Sequence, residues 1–536
     1  MKKLTELDRS KLTVEQKLGL LLCANLSHGE KDIEDALQMI REHRLGSVWV
    51  SYNNKNREDI IARVREAADY PIIIMCDAEN GCAPHNIPGA ISLSAANESE
   101  EYAYSFGRLT ATVCRKIGYN TICNPVLDGR RYSAPCGGTT RTFGPDRRVV
   151  AKLGESVIRG MHDGGVLSVA KHYPSVQKSK PYDTHMREGF AEDTREELIE
   201  DALYPYRKLI EKDLLDGVMV GHSLIPNIDP ERPASLSRPV LSILRECGFK
   251  GFYITDALNM MGVVLKYGNY KTTPMAIEAG VDIPLSWGIP CREAYSALLD
   301  GYRDGMITDG QLEIALDHIL EAHHKITLLP QDTEIAAEDA ENIARINREA
   351  ISAVCAEGYT PAISTEGKHL FVIMTDGDID LDSVEYDAFA GRSYNPKVIA
   401  EKIGELFPNS KTVTHPEYPN LYQNMSLFKL QQEYDDIVYI TYYASLCFIG
   451  RECLTSRTVD LMDSLQSTDR IIAHVHFGNP FVATDAPFVP RVLLGWLGSN
   501  ACIENTFDIL AGKAECVGKQ PYAEYLKFHK KGDVIC

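Results

Sequence analysis

The sequence predicts an α/β protein built from a (β/α)8 TIM-like barrel followed by a smaller α/β sandwich domain. Three observations carry that reading. Short apolar runs rich in branched residues alternate with helix-compatible segments through the first half of the chain. Those runs are almost continuously apolar, as strands covered on both faces are, and polar residues stand where they end. A chain of 536 residues is also too long for one ordinary domain, so two cores are expected.

The elements follow in order. Thr13-Val-Glu-Gln16 has the spacing of a capping box ahead of the apolar stretch Leu18 to Leu22, which predicts an opening amphipathic helix. Strands are predicted at Gly46 to Val50, Pro71 to Cys76, Tyr119 to Leu127, Gly165 to Ala170, Gly217 to Val220, Gly251 to Ile254 and Gly280 to Leu285. Helices fit between them at Ser99 to Ile117, Val149 to His162, Thr194 to Lys212 and Pro239 to Cys247. Polar groups mark the strand ends: Asp77, Asp128, Lys171 with His172, His222, Asp256 and Asp282. Catalytic groups converge on such a rim in a closed barrel. An open doubly wound sheet also places ligands at strand ends but draws on fewer strands, so the barrel is favoured. From Gln331 to Val354 the sequence is acidic, alanine-rich and helix-prone. The expected division is therefore a catalytic barrel over 1–330, a connecting helix over 331–355 and the sandwich over 356–536. Strands at His369 to Met374, Asp436 to Thr441, Arg470 to Phe477 and Arg491 to Leu497 would form its sheet.

Composition narrows the function. Lys and Arg total 56 against 75 Asp and Glu, a formal charge of −19 that repels a phosphate backbone, so no nucleic-acid partner is expected. The first residues lack the apolar core of a secretory signal, and no run reaches the length of a membrane span. The 14 cysteines include no Cys-x-x-Cys pair and read as reduced thiols of a cytoplasmic protein, with no metal site. Neither a dinucleotide fingerprint nor His-Glu-x-x-His occurs, and Gly512 to Lys519 has the wrong spacing for a phosphate loop, so no cofactor is implied.

Two groups could do chemistry together. Asp256 ends the run Gly251-Phe-Tyr-Ile-Thr-Asp256, and Asp183-Thr184-His185 lies in a loop just beyond Lys171-His172. Asp256 taken alone reads as a helix N-cap. Its place on a rim with His222 gives it a second possibility, as a nucleophile. Asp183 could hold one nitrogen of His185 and leave the other to donate a proton. Lys171 suits sugar hydroxyls or a carboxylate, and otherwise a salt bridge to a rim carboxylate such as Asp128.

The strings Thr140-Arg-Thr-Phe-Gly-Pro-Asp146, Ala170-Lys-His-Tyr-Pro174, Asp183-Thr-His185, Pro233-Ala-Ser-Leu-Ser237 and Gly248-Phe-Lys-Gly-Phe-Tyr-Ile-Thr-Asp-Ala-Leu-Asn-Met260 together resemble glycoside hydrolase family 3. The Asp-x-His loop resembles its β-N-acetylhexosaminidase branch. That resemblance implies Asp256 as nucleophile, His185 as acid and then base, and Asp183 as its partner, one substitution away from the two-carboxylate scheme. It also implies that Asp77, Arg141, Lys171 and His172 hold sugar hydroxyls, and that Met260 lies with them on the substrate. Two departures stand out. Ser175-Val-Gln177 replaces the branch's Gly-His-Gly, in a loop longer by one residue, and His85 stands where a sugar-binding arginine is expected.

The expected activity is retaining exo-hydrolysis of β-linked N-acetylglucosamine, or a related N-acetylhexosamine, from small glycans or cell-wall fragments through a glycosyl-enzyme. Phosphorolysis of the same linkage, a β-glucosidase or β-xylosidase, and a sugar-binding protein without turnover are the alternatives. Nothing in the sequence specifies the oligomeric state.

Overall fold

The computed structural model describes residues 5–27, 29–79, 88–129, 138–178, 183–375, 381, 395–443, 453–496 and 500–523. Contacts among them group into two compact units. One is drawn from 1–82, 103–129 and 146–340, the other from 83–102, 130–145 and 341–536.

The first unit is a barrel. Its strands are β1 (Cys23–Asn25), β2 (Ser47–Trp49), β3 (Ile73–Cys76), β4 (Thr121–Ile122), β5 (Leu167–Tyr173), β6 (Gly217–Val220), β7 (Phe252–Thr255) and β8 (Leu285–Ser286). They form one eight-stranded sheet in the order β7-β6-β5-β4-β3-β2-β1-β8, with parallel pairing throughout. A parallel bridge between Ile254 and Ile283 and the bond from Thr255 N–H to Ile283 O (3.1 Å) bring the two edges together. Such closure removes the exposed edges of an open sheet. Parallel neighbours require a crossover between them, and the amphipathic helices Glu30–Arg41, Glu100–Ile117, Arg147–Asp163 and Arg238–Glu246 supply some of these.

Seven of the eight strands overlap predicted runs, β8 only at Leu285, and the strand without a predicted counterpart is the first. Thr13 caps the opening helix through a reciprocal box with Gln16, as its spacing predicts. That helix stops at Leu20, and β1 begins three residues later inside what reads as the same apolar run. A second difference concerns Asp282. Its carboxylate accepts from Tyr253 N–H (2.6 Å), Arg245 (3.0 Å) and His318 (2.8 Å), which places it beside the start of β7 and away from the strand ends where it was expected. A carboxylate so surrounded ties the barrel's lower end together.

The second unit centres on a six-stranded sheet. The helix Ala337–Glu349 leads into β9 (Ser352–Cys355), followed by β10 (His369–Thr375), β11 (Lys411–Pro416), β12 (Asp436–Tyr443), β13 (Ile471–Gly478) and β14 (Arg491–Trp496). The order is β9-β14-β13-β12-β10-β11, with only β9 antiparallel to its neighbour. Alternate residues along each strand serve two cores. Phe371, Ile373, Val438 and Val475 face one, and Leu370, Val372, Ile437 and Tyr439 the other. Both faces are thus covered, as near-continuous apolar strands require.

Candidate active site

Asp256 directly follows β7, whose side chains Phe252 to Thr255 are buried. Its amide donates to Val220 O (2.8 Å), which fixes the backbone at the barrel's upper end. Its Oδ1 accepts from the amide of Ala257 (2.8 Å). Burial raises the cost of charge on this carboxyl. The opposing pull of His172, His222 and His185, with the Ala257 amide, holds its pKa below the ordinary aspartate value. Three imidazoles, one at the end of β5, one just after β6 and one on the loop after β5, thus act on one carboxylate, which stays ionised at neutral pH.

His222 is fully enclosed. Its Nδ1 lies 2.7 Å from Ser235 Oγ and its Nε2 3.1 Å from Ala257 O, so it supports the turn after Asp256. Burial, against the pull of Asp256, lowers its pKa.

His185 stands on the loop after β5. Asp183 Oδ1 accepts from both the amide (2.8 Å) and Nδ1 (2.8 Å) of His185, fixing the ring's orientation and leaving Nε2 as the outward nitrogen. The amides of Met186 and Arg187 return to Asp183 O at 3.0 Å each, closing a tight turn. The turn is docked on the helix Met261–Tyr267: Met261 N–H donates to His185 O (3.2 Å) and Gly262 N–H to Thr184 O (2.9 Å). Met260, buried, precedes that helix and is itself held by Ala257 O (3.1 Å).

The other predicted residues fall into two pairs. Lys171, its side chain almost wholly buried, forms ion pairs with Asp77 and with Glu79 (2.9 Å). The sequence suggested Asp128 as that partner. Asp128 instead receives Nδ1 of His172 (2.9 Å), the His172 amide (3.2 Å) and Ser175 Oγ (2.8 Å). The two carboxylate sets leave different strands: Asp77 and Glu79 follow β3 and Asp128 follows β4, and Lys171 and His172 meet them at the end of β5, where its pairing with β6 shifts register. Arg141 closes the short helix Gly138–Arg141 and is grouped with the second compact unit. His85 lies outside the described residues.

Glu79, Asp193 and Ser235 went unread in the sequence. Glu79 stands two residues beyond Asp77 and was signalled only by being a second carboxylate there. Asp193 accepts from the amides of Gln177 (3.0 Å) and Lys178 (2.9 Å), and so anchors the segment that departs from Gly-His-Gly. Ser175 in that segment has φ of 54°, a left-handed conformation that glycine adopts most easily. Its hydroxyl bond to Asp128 supports a serine there.

The constellation is one of directional hydrogen-bonding groups around an ionised carboxylate, with an oriented imidazole beside it. Among the described residues no cluster has the makeup of a metal site. An ionised carboxylate paired with a held acid suits attack on an acetal carbon with protonation of the departing oxygen.

Residues 13–322 match the model of the glycosyl hydrolase family 3 N terminal domain. A β-hexosaminidase of Tolumonas auensis is 29% identical over 288 residues, 51% of this chain and 84% of that protein. A Cellulomonas fimi protein named β-N-acetylglucosaminidase/β-glucosidase is 24% identical over 544 residues, covering 95% of this chain and 93% of its own length. Among solved structures, a glycoside hydrolase family 3 β-N-acetylglucosaminidase from Paenibacillus sp. str. FPU-7 superposes with a TM-score of 0.80 at 22% identity, over 95% of this chain and 98% of the other.

Proposed function

The chain belongs to glycosyl hydrolase family 3, and from that membership we propose that it is a retaining β-N-acetylhexosaminidase, removing β-linked N-acetylglucosamine from the non-reducing ends of small glycans or cell-wall fragments. One observation carries the mechanism: the Asp183–His185 pair is docked on the helix that follows Asp256, and His185 acts electrostatically on that carboxylate.

In the first step Asp256 attacks the anomeric carbon while Nε2 of His185 protonates the glycosidic oxygen; the C–O bond breaks and a glycosyl ester forms. In the second, His185 takes a proton from water as the water displaces Asp256 and releases the sugar. Asp183 accepts from Nδ1 and so keeps Nε2 as the nitrogen that exchanges the proton. Asp77, Lys171 and His172 are assigned to the hydroxyls of the sugar, Met260 to the same substrate, and Arg141 to it on its sequence position alone. Mutual charge pairing holds Lys171, Asp77 and Glu79 rigid, which suits directional bonds that strengthen in the transition state. His85 is assigned to the far side of the sugar on its sequence position alone.

Free thiols at Cys23, Cys76, Cys114 and Cys123 support a reducing, cytoplasmic setting. Among the described residues no helix is long and apolar enough to cross a membrane.

The test is a panel of aryl β-N-acetylglucosaminides and aryl β-glucosides, each with and without inorganic phosphate. The expected outcome is preferential cleavage of the N-acetylated sugars, releasing free sugar. Formation of sugar 1-phosphate would convert the assignment to a phosphorylase. Binding without cleavage would leave a sugar-binding protein.

A further inference from the structure

The histidine loop does not simply lie near Asp256; it is fastened to the same piece of backbone. Asp183 uses its carboxylate and carbonyl to bind its own loop, at His185, Met186 and Arg187. The carbonyls of Thr184 and His185 turn outward and accept from Gly262 N–H (2.9 Å) and Met261 N–H (3.2 Å). Met260, just ahead of these amides, has no side-chain acceptor to offer them and makes no capping bond. Between Asp256 and Met261 the chain is pinned by Leu258 N–H to Leu285 O (3.2 Å), Met260 N–H to Ala257 O (3.1 Å) and His222 to Ala257 O (3.1 Å). A rigid turn thus separates the carboxylate from the two amides that hold the loop.

Gly262 is what permits the approach. A Cβ there would stand 3.1 Å from Thr184 O, 3.2 Å from Arg187 O and 3.4 Å from Thr184 Cβ. Even one methyl group would push the loop by a few tenths of an ångström, and a branched side chain by more. Proton transfer tolerates little such displacement, because donor and acceptor must approach to about 2.6–3.2 Å.

We propose that the Met261 and Gly262 amides form a clasp that sets the acid/base histidine relative to the nucleophile, with Gly262 its positioning residue. This rests on the assignment of His185 as acid/base. The clasp makes a specific demand: loosening it impairs proton transfer while leaving Asp256 and the sugar-binding groups intact.

Three variants of the full-length protein test it: Gly262→Ala, Gly262→Val and Met261→Pro. The last deletes the amide that bonds to His185 O while keeping helical geometry, since proline is accepted in a helix's first turn. It keeps the test open if Gly262→Val fails to fold. kcat/KM is measured on 2,4-dinitrophenyl β-N-acetylglucosaminide, whose leaving group needs no proton, and on a methyl glycoside, whose leaving group does, with His185→Ala in parallel. The expected result is a loss of about tenfold or more on the methyl glycoside for Met261→Pro and Gly262→Val, less for Gly262→Ala, and within about threefold on the dinitrophenyl glycoside. Azide, a nucleophile that needs no base, should accelerate release of the glycosyl-enzyme in these variants.

Equal losses on both substrates, or none on either, would overturn the clasp if His185→Ala still discriminates between them. If His185→Ala also fails to discriminate, the acid/base assignment itself falls and the clasp with it.

Discussion

At the scale of single residues, the site is a problem of keeping one carboxylate charged and one imidazole oriented. Asp256 is held below the ordinary aspartate pKa by three histidines against the effect of burial, so it remains a nucleophile into mildly acidic solution. Asp183 gives His185 a fixed ring orientation. Removing the imidazole in His185→Ala is expected to cost about 10²- to 10⁴-fold in kcat/KM on glycosides with poor leaving groups and much less on activated aryl glycosides. A leaving-group series measures this; uniform loss would assign His185 a structural role. Lys171 supports a different expectation. It lies buried against Glu79 and half-exposed Asp77, and Lys171→Met strands two carboxylates without their cation. Breaking such a pair costs about 3 kcal/mol, near the low end for buried pairs because Asp77 reaches solvent. A fall of several degrees in Tm is the readout, and an unchanged Tm would contradict it.

At the scale of elements, strand ends deliver the chemistry and the loops that meet above them sort it. Lys171 and His172 are neighbours on β5, yet one joins Asp77 and Glu79 and the other Asp128. That partition depends on which strand exits meet above the barrel: Asp77 and Glu79 follow β3, and Asp128 follows β4. This is why the strand-end residues were readable and Glu79 and Asp193 were not. β1 was hidden for another reason: Leu18 to Asn25 is buried almost without break, so no change of period marks where helix gives way to strand. Side-chain alternation puts His474 and His476 on one face of β13, both bonded to Thr441 Oγ1 (2.6 and 2.7 Å) inside the second unit. Burial depresses them to about 4 and about 3. An unfolded histidine titrates near 6.5, so below that pH the unfolded chain binds protons that the fold refuses. Stability is therefore complete above about pH 6.5 and declines as pH falls toward 4. The urea midpoint of the second unit should drop over that interval, and His474→Asn should flatten the slope; a flat wild-type profile would exclude it.

At the scale of the whole molecule, the features carried by many residues were the most legible. Alternating runs and strand-end polar groups predicted the barrel. A set of strings between Thr140 and Met260 indicated the family, and the match of residues 13–322 to the family 3 N terminal domain agrees with it. The details that distinguish this chain are local. Gly-His-Gly is replaced by Ser175-Val-Gln177, and that segment is held by Asp128 and Asp193 instead of by backbone freedom alone. The central claim is that Asp256 carries the sugar between the two steps. The most direct measurement is mass spectrometry after brief treatment with 5-fluoro-N-acetylglucosaminyl fluoride, which slows breakdown of the ester. The expected result is a mass gain of one fluorinated sugar, mapped to the peptide containing Asp256 and lost in Asp256→Ala together with turnover. A label on a different residue, or normal turnover in Asp256→Ala, would contradict it.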